Sequence, residues 1–161
     1  MVNFENGVTP INDTNLNKAQ QDLMTEINKK MFFEIGGSLA NAMYWRIGKL
    51  NQYFGSLVTL NIWAENGYVE TIHLNIGYIA GQGVVLENIG TASVFGSKPF
   101  TKARLVYKGS DCYLELYTPQ ALTAIKVYLT IHSTKNYMCD FTAQNVAGSI
   151  PSGYSFKEID L

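Results

Sequence analysis

From Ala42 onward the chain alternates apolar and polar residues with a period of two, and this limits the fold more than any other feature. Strict alternation sends successive side chains to opposite faces of a β-strand, so each strand has one face to bury and one to leave wet. Val58, Leu60, Ile62 and Ala64 alternate with Thr59, Asn61 and Trp63; Glu65-Asn66-Gly67 reads as a turn; Ile72, Leu74 and Ile76 then alternate with Thr71, His73 and Asn75. This predicts a hairpin. Ala103, Leu105 and Tyr107 alternate with Arg104, Val106 and Lys108, a Lys-Gly-Ser-Asp turn follows, and Cys112, Leu114 and Leu116 alternate with Tyr113, Glu115 and Tyr117. A second hairpin follows from it. Ile125, Val127, Leu129 and Ile131, alternating with Lys126, Tyr128, Thr130 and His132, predict a late strand, and Met43, Trp45 and Ile47 an early one. Shorter runs over 83–86 and 91–95 bring the expected count to seven or eight. Strands at this spacing, separated by turn residues and with no second helical pattern, predict an antiparallel β-sandwich, jelly-roll-like in winding. No internal repeat is visible, which argues against a propeller or solenoid.

Residues 1–41 are different material. They hold eight of the 25 charged residues and only three of the 20 aromatics, Phe4, Phe32 and Phe33. The natural division is an N-terminal extended segment and helix over 1–41, followed by a β-sandwich head domain over 42–161. Leu16, Ala19, Leu23, Ile27 and Met31 recur at spacings of three and four, which predicts an amphipathic helix from about Asp13 to Phe33. Asn12 fits as its N-cap, Ile11 and Leu16 as a hydrophobic staple, and Gly36-Gly37 as its stop. The stripe has two possible destinations: the sheet of its own domain, or copies of itself around an axis.

Composition removes several partners. With 12 Lys+Arg against 13 Asp+Glu, and Arg46 and Arg104 as the only arginines, there is no electrostatic footprint for a phosphate backbone, so no nucleic acid is expected. The longest stretches free of charge, Thr71–Leu86 and Phe141–Phe156, contain glycines and polar side chains and fall short of the ~20 apolar residues that span a bilayer, so no membrane insertion is expected. The start, MVNFENGVTP, lacks the basic-then-apolar order of a secretory signal. Cys112 and Cys139 are expected as thiols of a reducing compartment, with a disulfide left open.

No catalytic constellation stands out. His73 and His132 sit on polar faces of predicted strands without an HExxH, HxH or CxxC partner, so no metal site is expected. No G-x-S-x-G elbow occurs. Glu65, Glu70, Glu87, Asp111, Glu115 and Asp140 could in principle form a glycosidase pair, but turn and strand-surface carboxylates are ordinary in a sandwich. Gly77, Gly81 and Gly83 precede no helix and lack the geometry of a phosphate loop. The expectation is a non-enzyme with no cofactor. Lys98, Lys102, Arg104 and Lys108 form a modest basic cluster, expected as a solvated face. The aromatics carry more information. Trp63 lies on the polar face of its strand, expected in register with His73, and Tyr113, Tyr117 and Tyr128 also fall out of phase with the aliphatic sets. Such rings suit a subunit interface or stacking on a sugar, and an oligomer that hides one outer face accounts for them most economically. Trp63 and His73 are the candidate ligand-binding residues.

The opening, FENGVTPINDTNLNKAQQDL at residues 4–23, resembles the N-terminal segment of bacteriophage and prophage tail or baseplate proteins of Gram-positive hosts, which share a phrase of the form N-G-x-T-P-[IL]-N-x-x-N-L-N-K. Asn6, Gly7, Thr9, Pro10, Ile11, Asn12, Asn15, Leu16, Asn17 and Lys18 fit it. Tyr44-Trp45-Arg46-Ile47-Gly48-Lys49 is similar to the first strands of receptor-binding heads in such proteins, and the stretches over 100–107 and 113–117 are similar more loosely. The resemblance implies a homotrimeric tail appendage. Three helices, through Leu16, Leu23, Ile27 and Met31, would surround an axis, and three heads would bind a host cell-surface saccharide beside other tail or baseplate proteins. It also implies a virion location, with assembly in the host cytoplasm, and a structural connector or a cell-wall glycan hydrolase as the alternatives.

Overall fold

The computed structural model describes residues 17–21, 32–40, 42–51, 53–65, 67–94, 98–132, 144–146 and 149–161. These form ten strands: β1 (Phe32–Leu39), β2 (Met43–Leu50), β3 (Tyr53–Trp63), β4 (Val69–Ile79), β5 (Gly83–Val94), β6 (Lys102–Lys108), β7 (Asp111–Thr118), β8 (Leu122–His132), β9 (Gln144–Val146) and β10 (Ser155–Asp160). They build two antiparallel sheets, ordered β1-β8-β3-β4-β5 and β10-β6-β7-β2-β9.

Both hairpins read from the alternation are present. In β3 and β4 the aliphatic sets Val58, Leu60, Ile62 and Ile72, Leu74, Ile76 point inward and are fully buried, which leaves the intervening polar residues outside. Gly67, with φ +84°, lets the chain reverse between them, and Gly109, with φ +59°, does the same between β6 and β7. One core cluster joins the two sheets. Phe54, Leu60, Ile62, Leu74, Leu86, Ile125 and Val127 come from the first sheet, and Trp45, Ile47, Leu105, Leu114 and Leu116 from the second. Phe100, in the connection before β6, stacks on Trp45 at 6.2 Å between centroids and 12° between planes. Truncating a side chain as enclosed as Leu60 costs about 2–5 kcal/mol.

The N-terminal part differs from expectation. Asn17–Gln21 are helical and exposed, whereas Leu16, Leu23, Ile27 and Met31 lie outside the described residues. The helix does not run to Phe33. Phe32 and Phe33 belong to β1, opposite Thr130 and Leu129, and Gly36 and Gly37 pair with Lys126 and Ile125 rather than stopping a helix. A hydrogen-bonded place beside β8 outweighs the weak strand propensity of two glycines. The sheet therefore begins ten residues before the expected boundary at 42. The weak run over 83–86 and the described part of the run over 91–95 belong to the single strand β5, whose register with β4 shifts between His73 and Leu74. That shift is why the run did not alternate cleanly.

Candidate functional site

The outer face of the first sheet gathers most of what is chemically unspent. Among the described residues, nine large apolar side chains are exposed, and eight of them, Tyr53, Leu57, Trp63, Val69, Ile79, Val85, Ile89 and Val94, belong to β3, β4 and β5. Only Phe156 belongs to the other sheet. The registers set six of them at the two ends of the face, with Leu57, opposite Asn75, and Ile89, at the register shift of β5, between. Trp63 stands opposite Val69, which stands opposite Val94. At the far end Tyr53 opposes Ile79, and Val85 opposes Gly77.

Between these ends runs a polar band knitted across the strands. The Thr71 hydroxyl donates to Asn61 Oδ1 at 3.0 Å, Thr59 Oγ1 and His73 Nδ1 are in hydrogen-bond contact at 3.0 Å, and Asn75 Nδ2 donates to Glu87 Oε2 at 2.9 Å. Tyr128 and Lys126 of β8 extend it, opposite Asn61 and Trp63 respectively. The Trp63 end therefore combines an indole that is 43 % exposed with the Asn61 amide of its own strand and with hydroxyl and ammonium groups, those of Thr71, Tyr128 and Lys126, on neighbouring strands. This is the chemistry that stacks against a sugar ring and hydrogen-bonds its hydroxyls.

Trp63 and His73 share this face but are not neighbours. Trp63 pairs with Val69 while His73 pairs with Thr59, four residues further along β3, or about 13 Å on the strand rise. The expectation of register between them fails because the turn at 65–67 is the whole loop: the Ala64 N–H donates to the Tyr68 carbonyl at 3.0 Å, which sets Trp63 against Val69, and only a longer loop would bring His73 opposite Trp63. Tyr113, Tyr117 and Tyr128 are half-buried, and the side chain of His132 lies outside the described residues.

The outer face of the second sheet is built around charge. Glu115 of β7 lies between β6 and β2 and takes both arginines of the chain: Arg104 Nε donates to Oε2 at 2.7 Å, and Arg46 Nη2 donates to Oε1 at 2.6 Å. Tyrosines cover the cations. The Arg104 guanidinium lies 3.3 Å from the centroid of Tyr44 and that of Arg46 lies 4.0 Å from the centroid of Tyr113. Tyr44 also donates to Glu158, which binds Lys102 at 2.8 Å. Burial, reinforced by Glu158, pushes the Tyr44 hydroxyl up to about 12. Burial raises Glu158 too, yet the hydrogen bonds from Lys102 and Tyr44 outweigh it and hold the carboxyl below its ordinary value. Lys49 and Asp111 pair at 2.5 Å, and that bond raises the lysine and lowers the acid.

This corrects the reading of Arg104 as part of a solvated basic face. It is 4 % exposed and ion-paired. The signal was available, because a two-residue loop at Gly109-Ser110 places residue 104 directly opposite residue 115. Of the candidate carboxylates, Glu115 and Asp111 are thus held in ion pairs, and Glu70 is enclosed beneath the first sheet. Asp140 lies outside the described residues, as does Cys139, while Cys112 is buried in the core. Among the described residues no group of three or more His, Cys, Asp or Glu side chains could hold a metal. Comparison with protein-family profiles, with curated proteins and with solved structures finds no match to this chain.

Proposed function

We propose that this chain is a homotrimeric tail-appendage protein of a bacteriophage or prophage particle, which adheres to a saccharide on the host cell surface. The observation that carries the reading is the asymmetry of the two outer faces: eight of the nine exposed large apolar side chains sit on β3, β4 and β5. Large apolar side chains gathered on one outer face and nearly missing from the other support an association surface there. The sequence resemblance over residues 4–23 and 44–49 supplies the class of particle. Support for a jelly-roll-like winding comes from the nested pairs β1 with β8 in one sheet and β2 with β7 in the other.

In this reading the aliphatic end, with Leu57, Ile79 and Val85, meets sister subunits, and the Trp63 end carries the saccharide. One shallow sugar site is weak; three on a common axis raise the effective concentration for each further contact and give avidity. The location is the virion tail, where other tail or baseplate proteins are neighbours, and the role needs no catalytic group or cofactor. The dominance of aliphatic over aromatic side chains on the face favours one second reading, a structural connector that binds only other tail proteins.

Purified host cell walls separate the two. Saturable adsorption that is lost on periodate treatment of the walls, and weakened by Trp63→Ala, is the expected result. Adsorption by Trp63→Ala and His73→Ala equal to the parent would remove this face as the site, and binding to virion proteins alone would leave the connector.

A further inference from the structure

Glu70 and Arg46 are left incompletely answered by their neighbours, in different ways. Glu70 of β4 is 1 % exposed and, among the described residues, has no hydrogen-bond partner at either oxygen. It escapes the cost by holding its proton, since burial pushes the carboxyl up to about 7. A guanidinium has no such escape, because it keeps its charge at any pH that leaves a fold intact.

Arg46 ends a row of alternating charge. Glu158 of β10, Arg104 of β6, Glu115 of β7 and Arg46 of β2 stand directly opposite one another across four neighbouring strands. The next strand, β9, sets the uncharged Gln144 against Arg46, so the row closes on a cation. Glu115 gives one oxygen to each guanidinium, and Arg46 reaches its share with Nε at 2.9 Å and Nη2 at 2.6 Å. Its Nη1 makes no hydrogen bond among the described residues, and the side chain is 19 % exposed.

A β-bulge brings a second cation to the same place. The register of β2 with β7 shifts between Arg46 and Gly48. In a regular strand residues three apart face opposite sides; here the extra residue turns Lys49 to the outer face beside Arg46, while Trp45, Ile47 and Leu50 enter the core. Both cations converge on Tyr113, whose ring centroid is 4.0 Å from the Arg46 guanidinium carbon and 5.9 Å from Lys49 Nζ. Asp111 binds Lys49 at 2.5 Å and accepts from the Tyr154 hydroxyl at 3.3 Å. Arg46 is therefore held on one edge by Glu115 and on one face by Tyr113, with its other edge open. A guanidinium fixed in this way loses little freedom when its remaining N–H groups take an oxyanion.

We propose that Arg46, Lys49 and Tyr113 form a binding site for an oxyanion, the phosphate or carboxylate group of a larger ligand. The anion takes the place beyond Arg46 where the alternation calls for a negative charge, and it accepts from Nη1. Lys49, shared between Asp111 and the anion, supplies the second positive charge. The site lies on the sheet opposite to Trp63, and it needs neither the attachment role nor a trimer.

Nitrogen-15 NMR of the intact chain tests it, by titration with inorganic phosphate and with glucuronate, and with sodium chloride at matched ionic strength as the control. Phosphate or glucuronate is expected to move the Arg46 Nε–H and Tyr113 amide signals saturably, and chloride to leave them in place. Saturation by phosphate alone assigns a phosphate group, by glucuronate alone a uronate, and by both an oxyanion of either kind. Arg46→Gln removes a charge-assisted hydrogen bond and is expected to weaken binding about tenfold or more. Lys49→Met is expected to weaken it severalfold. Shifts that stay linear, shifts that chloride reproduces, or the parent's affinity in either variant overturn the site. Should Arg46→Gln fail to fold, Lys49→Met, whose parent side chain is 44 % exposed, decides alone.

Discussion

Arg104 donates its Nε proton to Glu115 at 2.7 Å on the outer face of a sheet, and yet the two side chains are 4 % and 1 % exposed. An outward position becomes interior there because Tyr44 lies over the guanidinium, with Tyr117 at 5.0 Å from Tyr44. Removing one member of such a group leaves the others buried and uncompensated, which typically costs about 3–5 kcal/mol. Glu115→Gln keeps the shape and loses the charge, so it is expected to fall within that range in urea unfolding. Replacing Arg46, the more exposed partner, by Gln is expected to cost less. Equal stability of parent and Glu115→Gln would show that the carboxylate is not what holds the two cations.

Glu70 gives a stability prediction with a definite sign. Its ordinary value is 4.5 and its folded value about 7, so between the two the native chain binds more protons than the unfolded one. Stability is therefore expected to decline as pH rises from about 4.5 through about 7, by at most about 3 kcal/mol from this group. Glu70→Gln should flatten that slope and unfold later than the parent at pH 8. An unchanged slope in thermal or urea unfolding would show that the carboxyl titrates normally.

The two tryptophans should report separately. Trp45 is 2 % exposed and stacked on Phe100, while Trp63 is 43 % exposed on the proposed saccharide end. Emission from Trp63 is expected to be quenched by acrylamide and to shift to the blue when wall oligosaccharide is added. Emission from Trp45, isolated in Trp63→Phe, is expected to do neither. A saccharide-dependent shift that survives in Trp63→Phe would move the site elsewhere.

How much of this the sequence discloses depends on which forces leave a local trace. β3, β4 and β8 are legible because each has one buried and one wetter face, so polarity alternates, and β6 and β7 because their outward positions carry charged and tyrosine side chains even where these are buried. β1 is not. Phe32-Phe33 continues a helical stripe, Gly36-Gly37 looks like a stop, and only the distant strand β8 makes the segment extended. β10 is hidden as well, because Lys157 occupies an inward register position between Phe156 and Glu158. At the site, counting back from the two-residue β6–β7 loop would have paired Arg104 with Glu115. The approach of Arg46 from β2 carries no local signal, and neither does the isolation of Glu70, which is a property of everything packed around it.

The aliphatic end of the β3–β5 face should tolerate charge in a single subunit and not in an assembly. Leu57→Glu and Ile79→Glu replace exposed side chains, so each is expected to leave unfolding stability within about 0.5 kcal/mol if the chain is solitary. In a trimer buried at this face they are expected to lower the concentration-dependent stability and to promote dissociation.

The mass of the intact chain in dilute solution, by sedimentation or light scattering, bears most directly on that face. Three times the 17.9 kDa of one chain, falling toward a single chain in Leu57→Glu, is the predicted result. A parent that sediments as one chain at all concentrations, with Tyr53, Leu57 and Ile79 open to solvent, would contradict it.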